Sequence, residues 1–162
     1  MSANAPSMLA LHPTAIGLRP MDGPEDIAPR SELLLDGQPT GKTVAGLVLE
    51  AAFRTDSGEL LLFTADDTPF EEMLNIQLLD AQLDPLDSAV LGAAYSTGSF
   101  GFLAVERPDS VRFRFIGDTD WVVEVLPEPR LRTPWAKDPV GVSRPWGLHT
   151  RLRVSGNPKP ET

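Results

Sequence analysis

Ser110–Leu126, SVRFRFIGDTDWVVEVL, decides the fold class of this chain. Val111, Phe113 and Phe115 alternate with Arg112 and Arg114. After the polar break Gly117-Asp118-Thr119-Asp120, the residues Trp121, Val123 and Val125 resume the same two-residue period. Successive side chains leave a pleated backbone on opposite faces, so this pattern predicts two half-buried strands. The four turn-forming residues between them predict an antiparallel hairpin.

Upstream, Val44–Arg54 (VAGLVLEAAFR) and Glu59–Thr64 (ELLLFT) flank Thr55-Asp56-Ser57-Gly58. This predicts a second hairpin whose near-continuous apolar character suits strands covered on both faces. Thr68-Pro69-Phe70-Glu71 has the form of a capping box with proline at the first helical position, which predicts one helical turn through Met73. Leu74–Leu78 then alternates as a strand, with a helix over Pro69–Gln82 as the competing expectation. Asp84–Asp87 reads as a turn, Ser88–Tyr95 as a strand, Ser96–Ser99 as a break and Phe100–Glu106 as a further strand. Turn signals at this spacing predict an all-β, antiparallel β-sandwich or jelly-roll-like fold of about seven to eight strands, with at most short helical turns. An open β-barrel is the alternative.

Proline marks the expected boundaries. Of 16 prolines, 6 lie in residues 1–40, 7 in 127–162 and only 3 between, while all 7 phenylalanines lie between Phe53 and Phe115. Because proline removes a ladder donor, this distribution predicts a sheet core between extended flanks. The expected organisation is an extended or disordered arm over 1–30, a β core over 31–126, a proline-rich basic wrapping segment over 127–155 with a final strand near Leu148–Val154, and a disordered tail over 156–162. Glu32–Leu35 reads equally as a brief strand or one helical turn.

The net charge of −9 is unevenly spread: residues 1–129 hold 7 Lys/Arg against 21 Asp/Glu, whereas residues 130–162 hold 7 against 2. An acidic body repels nucleic acid at long range, so the expectation is no nucleic-acid partner. The basic tail is expected to lie back on its own acidic body. With no apolar run of membrane-spanning length and no basic lead-in before Met8–Leu11, the chain reads as cytoplasmic and without a membrane partner. The absence of cysteine removes thiolate catalysis, disulfides and cysteine metal sites.

Several motifs invite chemistry. Gly37–Thr43 is one residue short of a phosphate-binding loop, with Asp36 where the first glycine belongs, and a strand follows it. Ser96, Asp118 and His149 fall in the order of a hydrolase triad, yet the residues after Ser96 read as strand rather than helix. Carboxylates at Asp66-Asp67 with Glu71-Glu72, at Asp80, Asp84 and Asp87, and at Asp118 and Asp120 lack a calcium-loop spacing and suit turns that satisfy backbone amides. His12 and His149 alone make a zinc site an unsuitable reading. No catalytic residue, metal site or cofactor is therefore expected.

The residues singled out for ligand or partner binding are Trp135, Trp146, Arg112 and Arg114. Pro134-Trp135 and Pro145-Trp146 repeat one dipeptide beside basic residues, which suits anchors of an extended tail. Arg112 and Arg114 form a basic stripe opposite Phe113, and pairing with Glu124 or the hairpin aspartates competes with ligand binding there. The functional expectation is a non-enzymatic binding or self-association protein whose partner is itself, as a homodimer through the C-terminal segment, or another protein. The alternative is a small-molecule or carbohydrate-binding β domain, with a serine or carboxylate hydrolase as its extension.

Overall fold

The computed structural model describes residues 8–24, 27–67, 73–92, 98–107, 109–133, 137–145 and 147–157. Among them there are thirteen strands in three antiparallel sheets and no helix, so no helix is long and apolar enough to cross a membrane. The six-stranded sheet runs β1 (Leu9–Ala10), β5 (Val48–Arg54), β6 (Leu60–Ala65), β7 (Leu74–Leu79), β8 (Pro85–Leu91) and β12 (Val142–Ser143). The four-stranded sheet runs β13 (His149–Ser155), β11 (Asp120–Leu131), β10 (Ser110–Arg114) and β9 (Gly101–Glu106). The three-stranded sheet is β2 (Ile16–Pro20), β3 (Arg30–Leu35) and β4 (Gln38–Ala45). The all-β, sandwich-like class is as expected, and no barrel closes.

The hairpin β10–β11 sets Phe113 opposite Trp121 and Val111 opposite Val123. All four face the main core, where they meet Phe53, Phe63, Ile76 and Leu78 of the six-stranded sheet. Trp121 is fully buried and its indole N–H donates to the Ile116 carbonyl at 2.9 Å, so burial leaves no unpaired donor. Phe63 sits edge-on to Phe53 and Phe113, with ring centroids 5.8 and 5.2 Å away.

The strand count exceeds the expected seven to eight because the N-terminal third builds a sheet of its own. Residues 9–20, expected as an arm, carry β1 and β2, and Arg30–Leu35 is a strand rather than a helical turn. Ile16, Leu33 and Val44 cover the outer face of the six-stranded sheet at Ala52, Leu60, Leu62 and Leu79. Strand β6 is consequently buried at every position, Leu61 and Phe63 facing one core and Leu60 and Leu62 the other.

Other expectations need correction. Val44 and Ala45 end β4 instead of opening the β5–β6 hairpin. Between them and Val48, Gly46 turns the chain at φ +94°, where a Cβ would stand 2.4 Å from the Thr64 hydroxyl oxygen. Only glycine fits there. The residues Gly37–Thr43 continue the β3–β4 hairpin, whose turn residues Asp36 and Gly37 both have positive φ, as a primed turn requires. Leu74–Leu79 is β7, which removes the competing helix over Pro69–Gln82, while the expected helical turn lies mostly in 68–72, outside the described residues. The turn before β8 is Asp80–Asp84, where the Asp80 carboxylate accepts the amides of Gln82 and Asp84, and Pro85 and Asp87 already belong to the strand.

The C-terminal segment joins the fold through the expected final strand, β13. Its ladder with β11 pairs Val125 with Leu152 and then skips to Arg130 with Thr150. Pro127 and Pro129 occupy the skipped stretch, and a residue without an N–H cannot donate to the ladder.

Candidate functional site

Arg112 and Arg114 lie on the outer face of the four-stranded sheet, opposite Phe113, and both are engaged. Arg112 pairs with Glu106 on β9 and reaches Asp120 at 3.5 Å, while Arg114 holds Asp120 at 2.8 Å and Asp118 at 3.5 Å. The hydrogen bond from Arg114 is the main cause that lowers the Asp120 carboxyl, and the bond and charge of Glu106 raise the Arg112 guanidinium. The stripe is an ion-pair ladder along a solvated face. Glu124, the other expected partner, pairs instead with Arg153 at 3.4 Å.

Trp135 and Trp146 lie outside the described residues, as do Ser96, Glu71 and Glu72. Of the basic residues near the tryptophans, Arg144 and Arg151 bind the chain's own body. Arg144 Nη2 meets Asp87 Oδ2 at 2.6 Å, and Arg151 Nη2 meets both carboxylate oxygens of Glu59 at 2.8 and 2.7 Å. The Asp87 carboxylate also accepts the Thr150 hydroxyl and the amides of Arg151 and Leu152. These contacts latch β13 of one sheet to β8 and the β5–β6 turn of the other.

Asp118 precedes β11, and His149 pairs with Leu131 at its far end. At ~3.3 Å rise per residue, that strand alone separates the two by roughly 30 Å or more, so Asp118 does not orient His149. Lys42 takes Asp84 at 2.8 Å and Asn75 donates to Asp66 at 2.7 Å, so these acids serve turns and strand ends. Among the described residues no three of His, Asp and Glu form a cluster able to hold a metal ion.

The opposite side of the sandwich presents two sheet edges. There the six-stranded sheet ends on β5, which β1 covers only at Phe53 and Arg54, and the four-stranded sheet ends on β9. Between these edges lies an apolar groove of about 390 Å³, whose lining includes Leu11, Ile16, Leu49, Phe53 and Phe102. Phe102 leans on buried Phe53 with centroids 5.6 Å apart, yet its surface is 47 % exposed. A bulge opposite Arg112 and Phe113 makes Leu103 the extra residue of β9, and it too is 47 % exposed. Two large apolar side chains on one unpaired edge are the clearest unexplained surface feature of the described residues. The alternation of Phe100, Phe102 and Ala104 identified the strand, but edge position depends on sheet order, which the local pattern does not encode. Compared with known protein families, curated proteins and solved structures, the chain matches none.

Proposed function

We propose that the chain is a non-enzymatic binding domain that associates with a second copy of itself through the β9 edge. The observation that carries this reading is the exposure of Phe102 and Leu103 on a sheet edge that has no strand beside it among the described residues. An antiparallel edge is self-complementary under a two-fold axis: each copy offers the same row of N–H and C=O groups to the other. The sequence Phe102-Leu103-Ala104-Val105 places apolar side chains on both sides of such a seam. The bulge at Leu103 and the charges of Glu106 and Arg107 shorten the usable stretch, which makes the dimer weak and concentration-dependent.

The expected homodimer through the C-terminal segment draws less support. Arg144, Arg151 and Arg153 are paired within their own chain, so a crossing tail would have to exchange these contacts rather than add to them. Sedimentation velocity of the full chain over a wide concentration range tests the proposal. The unmodified protein should shift toward dimer with concentration, and Leu103→Lys, at an exposed position, should remain monomeric with an unchanged circular-dichroism spectrum. A monomer at every concentration, or a dimer indifferent to Leu103→Lys, overturns it.

A further inference from the structure

We propose that the depression between β11, β13 and the residues 132, 133, 137, 138 and 144 binds a phosphate dianion, as inorganic phosphate or as the head of a small monoester. It is about 290 Å³ in volume, and its cationic lining is Arg130, Arg132, Lys137, Arg144 and Arg153. Charge accounting gives the ligand class. Arg144 is neutralised by Asp87, and Arg153 by Glu124. Asp138, the one acid in the lining among the described residues, stands 3.9 Å from both Arg132 and Arg144 and so counters one further charge loosely. Arg130 and Lys137 have no acidic partner among the described residues.

The local excess is therefore two positive charges in a chain of net charge −9. Like charges held together without counter-charge cost energy, and a dianion removes that cost where a single carboxylate leaves half of it. The guanidinium fork of Arg130 matches two oxygens of a tetrahedral anion, and the Lys137 ammonium acts as a point charge beside it. Arg132 is held in place by donating to the Pro145 carbonyl at 2.9 Å, and the Thr150 hydroxyl is fixed on Asp87 at 2.8 Å. The lining is thus partly built before any ligand arrives. Leu131, exposed in the same lining, supplies an apolar surface on which a short ester arm can rest.

Titration calorimetry and amide chemical shifts on the full chain, at fixed ionic strength, test this with three probes: inorganic phosphate, ethyl phosphate and acetate. Both phosphates should bind saturably with shifts confined to β11, β13 and the lining residues Arg132, Lys137, Asp138 and Arg144, and acetate should bind far more weakly. Tighter binding of ethyl phosphate identifies a monoester as the ligand, and equal binding identifies free phosphate. Arg130→Gln and Lys137→Gln should each weaken phosphate by roughly tenfold, because each removes one charge-assisted interaction. Arg107→Gln, an exposed arginine elsewhere, should change nothing. No saturable phosphate binding, equal response to acetate, or indifference to both substitutions in a protein of unchanged fold overturns the proposal. The sedimentation result for Leu103→Lys is independent of all these outcomes.

Discussion

Asp87 of β8 and Arg144 form an ion pair with both side chains more than nine-tenths buried, Oδ2 to Nη2 at 2.6 Å. Three further donors of the arginine are used, on the Ser88 and Leu152 carbonyls and the Thr150 hydroxyl. Burial alone raises the Asp87 carboxyl, but the Arg151 amide, the charge and hydrogen bond of Arg144, and the bond from Thr150 outweigh it, so the net shift is downward.

Removing one partner of such a pair leaves the other charge buried. Asp87→Asn should therefore cost about 3–5 kcal/mol in urea unfolding. The pH dependence follows from the sign of the shift. A carboxyl lowered in the folded state stabilises above its ordinary value of 3.8 and loses that contribution as pH falls through the lower, folded value. The unmodified protein should lose stability below about pH 3.8 more steeply than Asp87→Asn does.

Asp66 should behave in the opposite sense. Burial pushes its carboxyl up from 3.8, and the hydrogen bond from Asn75 offsets this only in part. A raised carboxyl makes the folded state bind the proton more tightly, so stability increases as pH falls through the folded value toward 3.8. Asp66→Asn keeps an oxygen for Asn75 and removes the half-buried charge. In calorimetric scans at neutral pH it should be at least as stable as the unmodified protein, and it should lack the rise on mild acidification.

Gly156 tests the packing around the central tryptophan. A Cβ built there would lie 2.4 Å from Trp121 Cε3, on a ring that is fully buried and cannot swing away. Gly156→Ala should lower the urea midpoint by an amount corresponding to about 1–3 kcal/mol with an unchanged slope. Gly101→Ala, where a Cβ meets nothing within 4 Å, should stay within about 0.5 kcal/mol.

The elements written into local pattern are those that the sequence specified well. The β10–β11 hairpin, β6, β7 and β13 follow from two-residue alternation or apolar runs bounded by turn residues, and the basic tail returns to the acidic body through Arg144 and Arg151 as its charge implied. What depends on sheet order was not legible. Nothing in Phe102 or Leu103 announces an edge, and nothing in Ile16, Leu33 and Val44 announces that they cover a second face. The hairpin aspartates expected to pair with Arg112 and Arg114 do so at Asp118 and Asp120, but Glu106 comes beside Arg112 only through the register of β9 against β10. The depression holding Arg130 and Lys137 arises where prolines make β11 skip positions against β13, an irregularity that no periodic signal carries.

Strand β6, closed in on both sides, should make this protein unfold as a single unit where its layers would allow two. Displacing Leu62 from the smaller cluster must move the backbone that holds Leu61 and Phe63 in the larger one. Close-packed interiors transmit such shifts rather than absorb them. The N-terminal sheet is thereby bound to the fate of the hairpin at the other end of the chain, and a lesion in either third should melt the whole.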